Sequence, residues 1–271
     1  MRNDKKLTLL GHIRELRTRL IRSLIVIVVT TAISFMFAKQ IFDILTFDSA
    51  LTKPIFDFLA NNMHLFSPPN INLITIEITE MLGTYMKVCL VSGIILAIPY
   101  ITYELVMFVS PALNSKERRT FIYTALPWIG VMFLTGVAFA YFILLPPTLR
   151  FLTTFGSDIA NLQFRVGNYI SIVSRLLLAV GLVFEMPVLT TVLARMGIIT
   201  SKWMAKMRKP SIVIAFVLGA AITPTFDPIT QSLVAVPLIV LWELSIWLAK
   251  LVEARKRRDA VADASADVEA G

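Results

Sequence analysis

The stretch "GHIRELRTRLIR", residues 11–22, leads directly into an apolar run from Ile21 to Ala38. Five of its twelve residues are basic, and a single carboxylate, Glu15, lies among them. An apolar run of about 18 residues with a basic flank is typical of a membrane-spanning helix. This junction predicts an integral membrane protein, and it raises the question of what Glu15 binds.

The composition of the whole chain supports the same class. Of its 271 residues, 56% are hydrophobic and only 16% are charged, and the mean hydropathy is +0.75. Soluble domains are far less apolar. The single cysteine, Cys89, and two distant histidines argue against a disulfide framework and against a metal site. No phosphate-binding glycine loop or serine elbow is present, so we expect no enzyme, no catalytic residue and no cofactor.

The lengths of the apolar segments predict the fold. A bilayer core of about 30 Å requires about 20 helical residues. We therefore predict an all-α protein with six spans, over residues 21–38, 82–108, 121–145, 169–194, 210–223 and 232–249. The last two are short and should thin the bilayer locally. Residues 1–258 would form one transmembrane domain, with a short interfacial helix in the loop 39–80 and an acidic, disordered tail over 259–271.

Basic residues near the ends of the spans predict the orientation. With both termini in the cytoplasm, the inner segments hold twenty lysines and arginines, and the outer loops hold four. Basic residues are retained on the cytoplasmic side, so both termini are expected there. The isoelectric point near 9.7 then indicates contact with anionic membrane lipids and not with nucleic acid.

Glu185, in "VGLVFEMPVL", falls near the middle of the fourth span. An isolated ionised carboxylate costs several kcal/mol at that depth, so the acid should be protonated, paired or exposed to a water-filled concavity. Pro187 cannot donate to the carbonyl of Val183, which predicts a kink nearby. A helix-packing hydrogen bond is the alternative to a functional role. Glu104 and Glu243, nearer the inner ends of their spans, are explained equally well by snorkelling.

Two carboxylates of the inner face have local and functional interpretations. Glu15 can pair with Arg19, four residues further along the same helix face, for a few tenths of a kcal/mol. Glu117, in "FVSPALNSKERR", can complete a capping box with Asn114. Each could instead accept an arginine from a partner, because guanidinium and carboxylate form bidentate, charge-assisted bonds that lysine cannot match.

Four motifs in order resemble the TatC family, the large subunit of the twin-arginine protein translocase. They are "HIRELRTRL" before the first span, "FVSPALNSKERR" after the second, "FEMP" in the fourth and "TPTFDPITQ" before the last. The resemblance extends from about residue 7 to about residue 250. The chain departs from the family in the first outer loop, where Pro54 is displaced.

The resemblance implies a concave, glove-like bundle in the bacterial inner membrane. It implies binding of Arg-Arg signal peptides, work with the single-span subunits TatA and TatB, and export of folded proteins driven by the proton-motive force. A homo-oligomer within a TatBC complex is also expected. The implied signal-peptide residues are Glu15, Leu16, Arg17, Phe108 and Glu117. Supporting inner-face residues would be His12, Arg19 and Pro111, and residues within the membrane or in contact with TatA or TatB would be Glu185, Asp227 and Gln231.

Two other functions remain open from the sequence. A proton-coupled small-solute transporter would also carry a mid-membrane acid such as Glu185 and proline-interrupted spans. A purely structural assembly subunit would use Glu15 and Glu117 only as local partners and caps.

Overall fold

The computed structural model describes residues 9–62, 68–69, 71–109, 128–155, 163–223 and 228–269. Its helices are α1 (Leu9–Met36), α2 (Ala38–Leu45), α3 (Lys53–Asn62), α4 (Glu80–Val109), α5 (Trp128–Thr154), α6 (Val166–Phe184), α7 (Met186–Met196), α8 (Ser201–Lys206), α9 (Arg208–Ile222) and α10 (Pro228–Glu269). Two strands of two residues each, β1 (Leu73–Ile74) and β2 (Phe164–Arg165), pair in parallel. The protein is mostly helical, as predicted, with one small strand pair that the all-α prediction did not include.

In this described part of the chain, five helical stretches are long and apolar enough to cross a membrane. They are Gly11–Met36, Glu80–Phe108, Trp128–Thr154, Val166–Met196 and Thr230–Lys256. The chain is therefore a multi-pass membrane protein. The fifth predicted span corresponds to α9, a helix of 15 residues and about 22 Å, which is shorter than a usual span.

Two helices extend beyond the predicted spans. The last helical stretch, Thr230–Lys256, covers 27 residues because the helix continues past Ala249 into charged residues. The third span was predicted to end at Leu145, before two prolines. The structure continues α5 to Thr154, because a π-helical turn, Ala140–Leu144, precedes a new helical segment with proline in its first turn. Proline is tolerated at that position because the missing N–H would lack a helical partner anyway.

The tail also differs from its prediction. The prediction was disorder from residue 259, whereas α10 remains helical through Glu269. Four alanines alternate through "DAVADASADVE", and alanine has the highest helix propensity. Extending an existing helix by such residues avoids the unfavourable step of nucleation, so the helix continues where composition alone predicted a free tail.

Helices α1 and α4 form an antiparallel pair that crosses at a glycine. A Cβ on Gly93 would lie 2.3 Å from Thr31 Oγ1 and 2.6 Å from Thr31 Cα. The hydroxyl of Thr30 donates to the Gly93 carbonyl at 2.8 Å. Only glycine permits this approach of the two backbones, and the crossing fixes which residues face each other further along both helices.

A cap of short elements covers the opposite end of the bundle. Instead of the single predicted helix, the loop after α1 forms α2 and α3. Tyr169 Oη donates to the carbonyl of Leu45 at 2.7 Å, and Tyr141 Oη donates to the carbonyl of Ile44. These hydroxyls tie the end of α2 to α5 and α6, where the main buried cluster of apolar side chains is centred.

Candidate functional site

Arg19 of α1 is the centre of a cluster of charges between α1 and α4. Its Nη1 donates to Oε2 of Glu104 at 2.6 Å, and its Nη2 and Nε donate to Oε1 of Glu15 at 2.6 and 3.1 Å. Tyr100 Oη donates to the other Glu104 oxygen at 2.8 Å. The side chain of Glu104 is only 6% exposed and that of Arg19 only 13% exposed. Charge-assisted bonds in such a partly desolvated place are stronger than the same bonds in water.

Register along the two helices explains why these residues meet. Arg19 lies 12 residues before Thr31 in α1, and Glu104 lies 11 residues after Gly93 in α4. At 1.5 Å per residue these separations are about 18 and about 16 Å, and the helices run in opposite directions. The close crossing at Gly93 therefore brings Arg19 and Glu104 to the same level.

Glu15 is bonded on one side only. Both of its bonds from Arg19 end on Oε1, and Oε2 has no hydrogen-bond donor among the described residues. Its side chain is 24% exposed, four times the fraction of Glu104. The predicted Glu15–Arg19 pair is thus confirmed, and it leaves one carboxylate oxygen with capacity for a further donor.

An aromatic pair lies beside this cluster. His12 of α1 stacks on Phe108 of α4, with ring centroids 4.2 Å apart and ring planes within 16° of each other. The structure therefore brings three of the predicted α1 residues, His12, Glu15 and Arg19, to the end of α4 that carries Phe108. Leu16, on the same segment of α1, is 48% exposed, and Arg17 is exposed.

Glu185 lies at a break in the helix that it was predicted to occupy. Helix α6 ends at Phe184, α7 begins at Met186, and Pro187 stands in the first turn of α7, as the predicted kink requires. Glu185 is 1% exposed. Neither of its carboxyl oxygens has a hydrogen-bond partner among the described residues. An unpaired buried polar group is costly, so this acid is available to a donor from outside the described chain.

The remaining predicted residues lie apart from the cluster. Gln231 of α10 donates from Nε2 to the carbonyl of Phe216 at 2.7 Å, which links α10 to α9. Pro111, Glu117 and Asp227 lie outside the described residues. Of the two carboxylates predicted to bind an arginine, the structure therefore describes Glu15 and not Glu117.

Glu104 and Tyr100 are the residues that sequence reasoning missed. Glu104 was attributed equally to snorkelling, but the structure buries it and bonds it to Arg19. The sequence contained two signals: Tyr100 precedes Glu104 by one helical turn, and Gly93 marks a close helix crossing in the same span. Neither signal identifies α1 as the partner helix, because that also requires the alignment of α1 against α4.

A second ion cluster holds the other end of α4. Arg165 donates to Oε1 of Glu80 at 3.3 Å and to Oε1 of Glu77 at 3.1 Å. These hydrogen bonds, chiefly the one to Glu80, raise the pKa of the Arg165 guanidinium above its usual value. Glu80 also accepts from the amides of Ile76 and Gly167. The charged groups of this cluster bond to one another and to nearby amides, so we assign the cluster a structural role.

Comparisons with known proteins agree on one family. The family model of the Sec-independent protein translocase protein TatC matches residues 11–237. Among curated relatives, TatC of Aquifex aeolicus is 43% identical over 248 residues, covering 91% of this chain and 96% of the relative. TatC of Carboxydothermus hydrogenoformans is 35% identical, with coverage of 93% and 97%.

A solved structure gives the same result. A crystal structure of the twin-arginine translocase receptor TatC superposes with a TM-score of 0.72 at 41% identity, covering 89% of this chain and 99% of the other. A second crystal structure of the same receptor, in the detergent DDM, has a TM-score of 0.71. The arginine–carboxylate cluster, the buried acid in a broken helix and the membrane-spanning fold thus occur in a chain that belongs to the TatC family of Sec-independent protein translocase proteins.

Proposed function

We propose that this chain binds twin-arginine signal peptides at a surface formed by the start of α1 and the end of α4. Glu15, Leu16, Arg17 and Phe108 would contact the peptide, with His12 and Arg19 in support. Glu117 and Pro111, in the connection after α4, would complete this surface. The excess of basic residues in the inner segments supports a cytoplasmic position for this surface and for both termini.

One observation carries the proposal: the half-satisfied carboxylate of Glu15. Its Oε2 is without a described donor, and Arg19 has a second bond, to Glu104, that does not involve Glu15. A signal-peptide guanidinium can therefore take Glu15 without leaving Arg19 unpaired. The planar fork of arginine suits the two carboxylate oxygens, whereas lysine offers only a point charge.

The wider assembly follows from the family. We infer that the chain works in the bacterial inner membrane with the single-span subunits TatA and TatB, as a homo-oligomer in a TatBC complex. It would support export of folded proteins driven by the proton-motive force, without a catalytic site of its own. In this arrangement α9 would be the fifth of six crossings in a concave, glove-like bundle, and its 15 residues would thin the bilayer locally.

Glu185 would serve this assembly from within the membrane. Its buried, unpartnered carboxyl group favours a hydrogen bond to a polar side chain on a TatA-like helix. Asp227 and Gln231, at the connection between α9 and α10, would contribute to the same partner surface. A proton-coupled small-solute transporter is not retained as an alternative, because the chain belongs to a protein-translocase family.

Photocrosslinking in inverted membrane vesicles tests the receptor proposal. The signal peptide carries a photoreactive residue beside its Arg-Arg or Lys-Lys pair, the chain is unmodified, and mass spectrometry identifies the crosslinked residues. We expect the Arg-Arg peptide only to crosslink at or next to Glu15 and Glu117. No crosslink with either peptide would contradict the proposal, and it would favour a purely structural subunit.

A binding measurement provides the matched control. Glu15→Gln removes the charge of the proposed acceptor, and we expect it to weaken Arg-Arg peptide binding about tenfold or more, the loss of one charge-assisted pair. Glu243→Gln removes a carboxylate that is also paired with an arginine, Arg208, in a more exposed pair between two other helices. It should leave binding unchanged. Equal effects of the two substitutions would assign Glu15 to a general electrostatic role.

A further inference from the structure

A cleft of about 560 Å³ lies between the Trp128 end of α5, helix α7 and the second half of α10. Its walls are mainly apolar and include Trp128, Trp247 and Val188. Arg195 and Arg255 line it where α7 and α10 approach their polar ends. None of the lining residues in the described chain is acidic.

The two arginines belong to the same end of the cleft. Lys256 donates from Nζ to the backbone carbonyl of Arg195 at 3.3 Å, so the end of α7 adjoins α10 at residues 255 and 256. From Pro187 to Arg195 the cleft follows α7 for about 12 Å, and from Leu244 to Arg255 it follows α10 for about 16 Å. One leaflet of the bilayer core is about 15 Å deep, so the cleft has the depth of a single leaflet.

The side chains that line the cleft indicate what it binds. Trp128 and Trp247 are each more than half exposed. Trp247 lies about 12 Å along α10 from Arg255, at the depth of the acyl chains. Basic side chains on the cytoplasmic side attract anionic lipids.

We propose that this cleft is a binding site for an anionic phospholipid of the cytoplasmic leaflet. One acyl chain would lie between α5, α7 and α10, and the phosphate would contact Arg195 and Arg255. The inference uses the cytoplasmic orientation stated above. It does not depend on signal-peptide binding, so the failure of either proposal leaves the other open to its own test.

Tryptophan fluorescence of the full chain in vesicles tests the lipid site. The vesicles are phosphatidylcholine with increasing fractions of phosphatidylglycerol brominated on its acyl chains, and the comparison series uses brominated phosphatidylcholine. We expect stronger quenching by the brominated phosphatidylglycerol at equal fractions. Trp247→Phe should remove part of the quenched signal, which identifies the reporter.

Four variants separate the site from general surface charge. Arg255→Gln should weaken the preference for phosphatidylglycerol about fivefold, while Arg255→Lys should retain most of it. Lys250→Gln, on the same helix but not lining the cleft, should leave the preference unchanged. Thr191→Phe, which fills the cleft, should reduce quenching by both lipids.

Three results would overturn the proposal. They are equal quenching by the two lipids in the unmodified chain, equal losses in Arg255→Gln and Lys250→Gln, and unchanged quenching in Thr191→Phe. Circular dichroism and gel filtration of every variant establish that each is folded before its lipid preference is compared.

Discussion

Replacing Glu104 with glutamine tests how Arg19 controls Glu15. In the unmodified chain Arg19 is bonded to two carboxylates, at 2.6 Å each, so a signal-peptide arginine can take Glu15 while Glu104 still neutralises Arg19. In Glu104→Gln, Arg19 keeps only Glu15. A peptide arginine that bonds to Glu15 in place of Arg19 would then leave the Arg19 guanidinium without a charged partner. The Arg19 side chain is only 13% exposed, so water cannot fully replace that partner.

The size of the expected loss of peptide affinity follows from the unpaired guanidinium of Arg19. An unmet hydrogen bond to a charged group costs about 1.5–3 kcal/mol, and each 1.4 kcal/mol corresponds to a tenfold change in affinity. We therefore expect Glu104→Gln to weaken Arg-Arg peptide binding at least about tenfold, although Glu104 itself does not contact the peptide. Fluorescence anisotropy of a labelled Arg-Arg peptide with the purified full chain measures this loss, with a Lys-Lys peptide as the baseline.

A double variant distinguishes this exchange from simple damage to the fold. Arg19→Gln combined with Glu104→Gln leaves no cation to be stranded, so we expect affinity to return to within about threefold of the unmodified chain. Tyr100→Phe removes the neutral donor to Glu104 but keeps its charge, and it should bind almost normally. Normal binding by Glu104→Gln, or no recovery in the double variant, would refute the exchange.

Three further predictions concern other parts of the fold. Gly93→Ala should lower the thermal stability of the purified protein by about 1–3 kcal/mol, since its Cβ meets the backbone of α1, whereas Gly83→Ala has open space and should be neutral. In Glu80→Gln, the Gly167 amide loses a charged acceptor and should exchange its hydrogen faster, as measured by mass spectrometry; unchanged exchange would contradict its role. Glu185→Gln should retain crosslinking to TatA and transport, while Glu185→Ala should lose both; intact function in the alanine variant would remove Glu185 from the partner contact.

Much of the fold could be predicted because lipid imposes a simple rule on the chain. Every backbone polar group inside a bilayer must be bonded internally, so each long apolar run has to be a helix. This rule located the spans that begin near Ile21, Leu82 and Tyr169. It gave no account of the π-helical turn that continues α5 beyond Leu145, or of the helical tail, because both depend on local backbone geometry and helix continuation rather than on hydropathy.

Only the part of the candidate site formed by residues close together in the sequence could be predicted. Glu15 and Arg19 are four residues apart on one helix, and that spacing predicted their pair. The bond between Arg19 and Glu104 joins residues 85 positions apart, so it requires the register of α1 against α4. Gly93 sets that register through a close approach that no periodicity in the sequence reveals.

The two acids at the centre of the proposals differ in what must be displaced before a partner can bind. Glu185 is fully buried without a described donor, so a partner that hydrogen-bonds to it satisfies a polar group without displacing another one. Glu15 already has a donor on Oε1, so a signal-peptide arginine that takes both carboxylate oxygens in a bidentate pair displaces Arg19. Arg19 has a second carboxylate partner, Glu104, which can still neutralise it after the exchange. The bond from Arg19 to Glu104 is therefore what makes Glu15 exchangeable, which is why a residue outside the peptide contact should control the affinity for paired arginines.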